Sequence, residues 1–453
     1  MSMVKNGLYE GVAEALGSAG EAIIKTEGTT AFVPFCLVGE RVKFRALKIT
    51  DGGKAAYGKA EEISDFSPDR TEPPCPLFKK CGGCDLQHMK YSAQLAFKRE
   101  LVASTLRKIG GISLSVEPVT ACRAEYRYRN KVALPIGTDD GGNTVLGFYA
   151  RRSHRIVSAD DCLIQAEWIK EVISAVKKYS RVTGYRGYDE RTREGELRQI
   201  VVREIKGKFI VALVVTKRID AEVLLKELEK IFKDFTFLLN INNSTGNVIF
   251  SDKWLVCRGE GRFEAEENGI TYSAGAETFV QVNDDVRNKL YSRVLAEAGA
   301  DCEAVDLYSG GGLLTAMLAK ACKRAYGVEA VREASLCADE LCERNGLKGK
   351  MINVCGRVED KLDGVLSATD GKKIIVCDPP RKGMERSVAE KLGETDADKI
   401  ILISCNPATL ARDLKIITEC SKGRFEAASV TPFDMFPQTR HVETLVVLEN
   451  KNR

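Results

Sequence analysis

A single cysteine in the carboxy-terminal part of the chain stands where a nucleophile could act. Cys405 follows four apolar residues at 400–403, within the stretch IILISCNPATLARDL. Such a run is typical of a buried strand in a parallel sheet, and Pro407 ends it because proline cannot donate to a ladder. Open α/β sheets bind ligands at the carboxyl ends of their strands, so the pattern predicts Cys405 at a ligand-binding edge. Since most buried cysteines are only small hydrophobic residues, the rest of the chain must decide between the two interpretations.

Three carboxylates at the ends of other predicted strands could join that cysteine. Glu329 closes the run RAYGVE, about 20 residues after a glycine turn at 310–312, which is the usual spacing for an acid that binds ribose hydroxyls. Asp378 follows the apolar run IIVC and opens DPPRKG, whose paired prolines stiffen a loop. Glu443 precedes the apolar run TLVVL. An acid at a strand end is commonly solvated, but beside a cysteine nucleophile it becomes a candidate general base.

A second group of cysteines has the spacing of a metal site. Cys75, Cys81 and Cys84 lie in CPLFKKCGGCDLQHM, and Cys162 is the best candidate for a fourth ligand. The beginning of the chain has no signal-peptide core and no run approaches a membrane span, so we expect a cytoplasmic protein, in which reducing conditions disfavour disulfides. The chain has 15 cysteines and only 3 histidines, so thiolates are the expected ligands. The spacing alone permits an iron–sulfur cluster or a four-cysteine zinc site.

The elements that must position these residues fall into three predicted domains. Residues 1–66 alternate short apolar runs with glycines and predict a closed β-barrel of about five strands. Residues 67–270 carry the clustered cysteines and predict a central, mostly antiparallel β domain. Residues 271–453 repeat strand, glycine turn and helix, which indicates an α/β, Rossmann-like domain. Because the first glycine turn lacks GxGxxG, the pattern favours a class I methyltransferase over a dinucleotide-dependent dehydrogenase.

The segment 122–131, CRAEYRYRNK, alternates cationic and aromatic side chains. Arginine binds phosphate and stacks on bases, and tyrosine offers a flat platform, so the segment favours contact with single-stranded or splayed RNA. A strand face laced with salt bridges is the alternative, and the net charge of +4 does not decide between them. The residues concerned are Arg123, Tyr126, Arg127, Tyr128, Arg129 and Lys131.

From end to end, the chain resembles the RNA uracil-C5-methyltransferases of the TRAM and iron–sulfur type, the 23S rRNA (uracil-5-)-methyltransferases. EGVAEAL and FVPFCLVGERVKF resemble a TRAM domain, an OB-like RNA-binding barrel. The C-x5-C-x2-C spacing, FVQVN, DLYSGGG, GVE, DPPRKG, SCNPATLARDL and HVETLVVL carry the rest of the resemblance, and the last three are the most specific. The chain departs from the family at Ser309, where many relatives carry cysteine, and at Leu313, where some carry asparagine.

This resemblance implies a role for each candidate residue. Cys405 would be the nucleophile and Glu443 the proton acceptor. The residues implied to contact S-adenosylmethionine are Gln281, Tyr308, Glu329 and Asp378. The residues implied to hold a [4Fe-4S] cluster, with zinc as the less favoured metal, are Cys75, Cys81, Cys84 and Cys162.

The implied reaction explains these residue types. Carbon 5 of uracil attacks a sulfonium methyl only after a thiolate has added to carbon 6, and the adduct must then lose its carbon 5 proton. The resemblance implies an S-adenosylmethionine-dependent enzyme that methylates a specific uridine of 23S rRNA, and we expect it to be a monomer. The same chemistry on tRNA and a non-catalytic RNA-binding or ribosome-assembly factor are the alternatives. Exocyclic-amine methyltransferases share Asp-Pro-Pro motifs but need no cysteine, and cytosine-C5 enzymes place theirs elsewhere in the motif order.

Overall fold

The computed structural model describes residues 3–26, 28–139, 141–246, 248–278 and 280–452. In chain order, the described strands form a closed barrel, a seven-stranded sheet, a two-stranded sheet and a second seven-stranded sheet. Phe279, the first residue of the FVQVN motif, lies outside the described residues. Within the described ranges, no helix is both long enough and apolar enough to cross a membrane.

The amino-terminal strands close into a barrel in the order β1-β2-β3-β5-β4. Their bounds are β1 (Leu8–Leu16), β2 (Ala22–Thr26), β3 (Thr29–Val33), β4 (Arg41–Ile49) and β5 (Ala55–Ser64). Side chains alternate between the two faces of a strand, so Ile24, Val42 and Phe44 point into the barrel and are fully buried. The predicted small barrel is confirmed.

The central sheet has the order β12-β11-β10-β9-β6-β7-β8, and β10 with β11 is its parallel pair. Helix α1 (Tyr91–Thr105) precedes this sheet in the chain. The strands of the sheet and the two helices between them are β6 (Lys131–Thr138), β7 (Thr144–Tyr149), β8 (Ile156–Ser158), α2 (Ile169–Thr183), β9 (Leu197–Ile205), β10 (Lys208–Val215), α3 (Glu222–Ile231), β11 (Phe235–Ile241) and β12 (Trp254–Arg258). The helices α2 and α3 bury apolar residues such as Val172 and Leu224 in one core with the sheet. The predicted mostly antiparallel central domain is confirmed.

The carboxy-terminal sheet has the order β17-β16-β15-β18-β19-β21-β20, in which β21 is antiparallel to both neighbours. A hairpin, β13 (Arg262–Glu267) and β14 (Ile270–Gly275), and α4 (Asp284–Ala298) precede it. The remaining elements are β15 (Glu303–Leu307), α5 (Leu313–Ala321), β16 (Arg324–Glu329), α6 (Arg332–Arg344), β17 (Met351–Cys355), α7 (Val358–Ser367), β18 (Lys373–Cys377), α8 (Arg386–Glu394), β19 (Lys399–Ser404), α9 (Pro407–Cys420), β20 (Phe425–Phe433) and β21 (Glu443–Asn450).

Both faces of this sheet are buried, which explains its nearly continuous apolar strands. Along β15, Ala304 packs into one hydrophobic core, whereas Val305 and Leu307 pack into the other. Strands of a parallel sheet that is covered on both faces are apolar on both faces. The edge of the sheet at the carboxyl ends of its strands remains open to ligands. The predicted Rossmann-like, class I methyltransferase fold is confirmed.

Candidate active site

The pairing of the strands brings the predicted functional residues to one edge of the sheet. β15 pairs in register with β16 and β18 as far as their carboxyl ends. Tyr308, Glu329 and Asp378 stand within one residue of those ends. Next to β18 in the sheet, β19 pairs with the antiparallel β21, and their last residue pair is Ser404 with Thr444. Extending this antiparallel register by one residue brings Cys405 opposite Glu443.

All six residues predicted for catalysis and cofactor binding line one cleft of about 1030 Å³. They are Gln281, Tyr308, Glu329, Asp378, Cys405 and Glu443. The cleft has two ends, which we name by their residues. The cofactor end comprises Tyr308, Glu329, Gly310 and Gly311, and the base end comprises Cys405, Glu443 and Arg381.

A hydrogen-bonded acid and a glycine turn build the cofactor end. The Glu329 carboxylate accepts hydrogen bonds from Gly310 N at 2.9 Å and from Val331 N at 2.7 Å, so the end of β16 is tied to the turn after β15. Gly312 has φ +79°, and a Cβ there would lie 2.7 Å from Ala338 Cβ, which explains the need for glycine. A Cβ on Gly310 or Gly311 would meet nothing within 4 Å, so a ligand can approach the backbone closely.

Burial strengthens the basicity of two acids beside this end. Asp306 is buried and accepts a hydrogen bond from Thr315 Oγ1 at 2.6 Å. Burial, with smaller contributions from the charges of Asp378 and Glu329, raises the pKa of Asp306 to about 7. Burial also raises the pKa of Asp378 to about 7. A positively charged ligand in the cleft would favour ionisation of both carboxyls.

At the base end, a thiol and a carboxyl share one cationic neighbour. Burial and then the charge of Glu443 raise the pKa of the Cys405 thiol, and the Arg381 guanidinium opposes that rise. Burial and the charge of Asp378 raise the pKa of Glu443 well above its usual range, and Arg381 again acts in the opposite direction. Arg381 therefore stabilises the ionised form of both groups.

The turn after β19 fixes the position of Cys405. Asn406 caps α9 by accepting a hydrogen bond from Ala408 N at 3.1 Å, and Pro407 occupies the first helical position. The side-chain nitrogen Nδ2 of Asn406 donates to the carbonyl oxygen of Arg381 at 3.2 Å. The Cys405 turn and the DPPRKG loop are thus joined directly, which holds Arg381 beside the thiol.

Three residues that line the base end were not assigned to it from the sequence: Arg129, Phe436 and His441. The Arg129 guanidinium lies 5.8 Å from the centre of the Phe436 ring, and the rings of Phe436 and His441 are 6.1 Å apart. Burial lowers the pKa of His441 to about 4, so the ring is neutral at physiological pH. The only signal in the sequence was proximity to the HVE motif and to the arginine-tyrosine segment.

Arg127, Tyr128 and Lys131 of the arginine-tyrosine segment are bonded or partly buried within the protein, whereas the Arg123 side chain is exposed. Arg127 forms a two-pronged ion pair with Asp161, at 2.8 and 2.7 Å. Tyr128 donates its hydroxyl to the carbonyl oxygen of Pro437 at 3.0 Å. Burial lowers the pKa of Lys131 to about 8. Of this segment, Arg129 is the residue that reaches the cleft.

The four clustered cysteines influence one another electrostatically. The charges of Cys162, Cys81 and Cys75 all raise the pKa of Cys84, although burial is the larger cause of its rise to about 12. Gly83 N donates to Cys81 Sγ at 3.3 Å. Among the described residues, no group of three or more histidine, cysteine, aspartate or glutamate side chains has the arrangement of a metal-ion site. The predicted metal cluster therefore stays a prediction.

The sheet order with an antiparallel β21, together with a ligand cleft at the carboxyl ends of its strands, defines a class I methyltransferase. Comparison with known proteins specifies the family. The sequence profile of the tRNA (uracil-5-)-methyltransferases matches residues 90–451. The chain therefore belongs to this family of S-adenosylmethionine-dependent enzymes and is an RNA methyltransferase.

Several relatives match over nearly the whole chain. An uncharacterized RNA methyltransferase of Halalkalibacterium halodurans is 37% identical, over 99% of this chain and 98% of its own length. A second, from Clostridium acetobutylicum, is 35% identical over 99% of this chain and 98% of its own length. The crystal structure of Pyrococcus abyssi tRNA (uracil-54, C5)-methyltransferase with S-adenosyl-L-homocysteine has a similar fold, with a TM-score of 0.74 and 23% identity over 97% of this chain and 99% of that one.

Proposed function

We propose that the protein methylates carbon 5 of a specific uridine in 23S rRNA, with S-adenosylmethionine as methyl donor and Cys405 and Glu443 as catalytic residues. The observation that carries the proposal is the shared cleft, in which a thiol, a buried carboxyl and a guanidinium stand together at one end. The class of reaction follows from the family, and the shared cleft supports the residue roles that the resemblance implies. Domains 1–66 and 67–270 would bind RNA, and 271–453 would carry out the chemistry.

Four residues would hold the methyl donor. Bound S-adenosylmethionine supplies an electrophilic methyl group on a sulfonium centre. Glu329 would bind the ribose hydroxyls, since a carboxylate after the second strand suits that contact. Tyr308, Gln281 and Asp378 would complete the binding site, and the open backbone at 310–311 leaves room beside them. The two acids with pKa values of about 7, Asp306 and Asp378, suit a cationic donor.

At the base end, Cys405 would form and later break a bond to the uracil, and Glu443 would remove a proton. The Cys405 thiolate adds to carbon 6 of a uracil that has left its stack, and carbon 5 of the resulting enolate takes the methyl group. Glu443 then removes the proton from carbon 5, the double bond re-forms, and the bond between Sγ and carbon 6 breaks. A carboxyl whose pKa is raised by burial is a strong proton acceptor, which suits Glu443 to this last step.

A trapped adduct tests the nucleophile. RNA with 5-fluorouridine at the target offers no carbon 5 proton, so the enzyme should remain bound to it through a denaturing gel. We expect this band with the wild-type protein and with Cys355→Ala, an exposed cysteine used as the matched control. We expect no band with Cys405→Ala. Failure of the wild type to form the adduct, or its formation by Cys405→Ala, would refute the role of Cys405.

A tRNA substrate is the second candidate, and one observation favours it. The Pyrococcus abyssi enzyme acts on uracil 54 of tRNA, and its fold is similar over 97% of this chain, so the barrel and central domain occur in a tRNA enzyme as well. Methylating total RNA from a strain lacking the enzyme, with a labelled donor, distinguishes the substrates. Label in 23S rRNA supports the first proposal, and label confined to tRNA replaces it with the second.

We also propose that Cys75, Cys81, Cys84 and Cys162 hold a [4Fe-4S] cluster. The donor types fit, because thiols are the ligands of iron–sulfur clusters and a backbone amide donates to Cys81. The group would be structural, binding the linker before α1 to the central domain. Anaerobically purified protein should contain iron, which Cys81→Ser should lose and Cys355→Ser retain. One zinc per chain, or no metal, would contradict the iron–sulfur assignment.

A further inference from the structure

The connection between β20 and β21, residues 434–442, runs along the base end of the cleft and leads directly into Glu443. We call it the base-side loop. It carries Phe436 and His441, both of which line the cleft. Gln438 in its middle has φ +68°, a conformation that a residue other than glycine keeps only where its surroundings enforce it. The shape of the base-side loop must therefore be imposed by other segments.

A buried lysine from α1 holds the beginning of the base-side loop. Lys98 Nζ lies 2.5 Å from Asp434 Oδ1 and donates to the carbonyl oxygen of Phe436 at 3.0 Å. Neither side chain of this ion pair is exposed to solvent. Buried charges are tolerated when they are paired and hydrogen-bonded, so the pair fixes the position at which the loop leaves β20.

One turn earlier on the same helix, a glutamine holds the strained residue. Gln438 N donates to Gln94 Oε1 at 3.0 Å, and Gln94 Nε2 donates to Gln438 Oε1 at 2.9 Å. These two reciprocal hydrogen bonds are buried. They bind both the backbone and the side chain of Gln438, which accounts for its left-handed conformation.

The segment after Cys84 holds the same residue from the opposite side. The carbonyl oxygen of Gln438 accepts hydrogen bonds from Asp85 N and Leu86 N, both at 3.0 Å. Asp85 Oδ2 also accepts a hydrogen bond from Arg440 N at 3.3 Å. The base-side loop is thus clamped between α1 and the cysteine-bearing segment, both of which lie more than 300 residues earlier in the chain.

We propose that Lys98 and Gln94 are positioning residues for proton abstraction by Glu443. They fix the base-side loop, and through it the start of β21, so that the carboxyl meets carbon 5 of the methylated adduct. This inference rests on the proposed function. A small displacement of a catalytic group slows the step it serves, and an error of about 1 Å can cost about 100-fold. Loss of the clamp should therefore slow release of the product RNA rather than methyl transfer.

The test uses two variants of the full-length protein, one that removes the buried ion pair and one that removes only uncharged hydrogen bonds. Lys98→Met would leave Asp434 buried without its partner, so the double variant Lys98→Met/Asp434→Leu removes both charges and keeps the volume filled. Gln94→Leu removes the reciprocal amide bonds without touching any charge. Lys108→Met, an exposed lysine just after α1, is the matched control.

Four measurements separate positioning from folding: thermal unfolding, calorimetric binding of S-adenosylmethionine, single-turnover methyl transfer, and the fraction of enzyme covalently attached to unmodified target RNA at steady state. For both variants we expect donor affinity and single-turnover methyl transfer within about threefold of the wild type, and steady-state turnover lower by about 10- to 100-fold. The covalently attached fraction should rise as turnover falls. Lys108→Met should match the wild type throughout.

Two outcomes would overturn the inference. Variants that fold and release RNA at the wild-type rate, without excess adduct, would show that the clamp does not serve the base. Equal losses in methyl transfer and in release would assign Lys98 and Gln94 to folding alone. If the wild type forms no adduct with 5-fluorouridine RNA, the proposed function itself fails, which is a distinguishable result.

Discussion

The two ends of the cleft are assembled in different ways. At the cofactor end, the hydrogen bond from Gly310 N to Glu329 Oε2 joins residues that are 19 positions apart, within one strand–turn–helix–strand unit. At the base end, Lys98 contacts Asp434 across 336 positions and Gln94 contacts Gln438 across 344. Such long-range contacts form only when distant segments fold together, because the entropy cost of closing a long loop must be offset by other interactions in the folded protein. The contact at the cofactor end is thus local, whereas the contacts that hold the base end join segments from opposite parts of the chain.

The two ends also differ in charge. Two carboxyls with pKa values of about 7, Asp306 and Asp378, lie beside the cofactor end, which suits a cationic ligand. The base end instead sets Arg381 beside Cys405 and Glu443, where the guanidinium acts to lower the pKa of both groups. If each end works independently, substitutions should separate donor affinity from chemistry, and three of them test this.

The largest effect is expected from Glu443→Gln at the base end. A glutamine cannot accept the carbon 5 proton, so turnover should fall by about 100- to 10,000-fold, which is the usual range for a general base. Methyl transfer itself should persist, and the enzyme should accumulate on normal RNA as a covalent adduct visible on a denaturing gel. Donor affinity by calorimetry should not change. Turnover at the wild-type rate would exclude Glu443 as the base, and weakened donor binding would break the separation between the ends.

A smaller effect is expected from Glu329→Gln at the cofactor end. The substitution removes a charged acceptor of hydrogen bonds, a loss of about 1.5–3 kcal/mol, so the dissociation constant of the donor should rise about 10- to 150-fold. The rate at saturating donor should change little, because the base end is untouched. Glu333→Gln, an exposed acid in the first turn of α6, is the control. An unchanged dissociation constant would remove Glu329 from the donor site.

The smallest effect at neutral pH, and the most specific, is expected from Arg381→Met. Arg381 lowers the pKa of Cys405 and of Glu443, so its removal should raise both. Both groups act in their deprotonated forms, so the acid limb of the pH–rate profile should move to higher pH, and activity lost near neutrality should return on raising the pH. Lys415→Met, an exposed lysine on α9, should leave the profile unchanged. A uniform loss at every pH would contradict this electrostatic role.

Short-range patterns predicted the elements closely. The apolar run IIVC before Asp378 lies within β18, which is observed as Lys373–Cys377. The strand before Cys405 was predicted at 400–403, and β19 extends it by one residue at each end. Helix α9 begins at Pro407, because proline suits the first helical turn, where its missing N–H is not needed.

Long-range pairing was not predictable in the same way. In the sequence, Arg127 and Arg129 were equivalent candidates for RNA contact. In the structure, Arg127 forms an ion pair with Asp161, whereas Arg129 lines the cleft. No local pattern indicated the role of Lys98, because its partner lies hundreds of residues away. A pattern within one segment says which face of that segment is apolar, but not which charge will meet it.

By itself, the sequence determined which residues stand at strand ends: Cys405, Asp378 and Glu329 each follow or close an apolar run, and the period of two or of 3.6 residues sets such positions locally. The tertiary structure decided which strand ends face each other. Cys405 meets Glu443 because β21 inserts antiparallel beside β19 in one register, and a shift by one residue would turn the side chains of β21 to the opposite face. That register, and the clamp from α1 on the base-side loop, are fixed by packing across the whole chain.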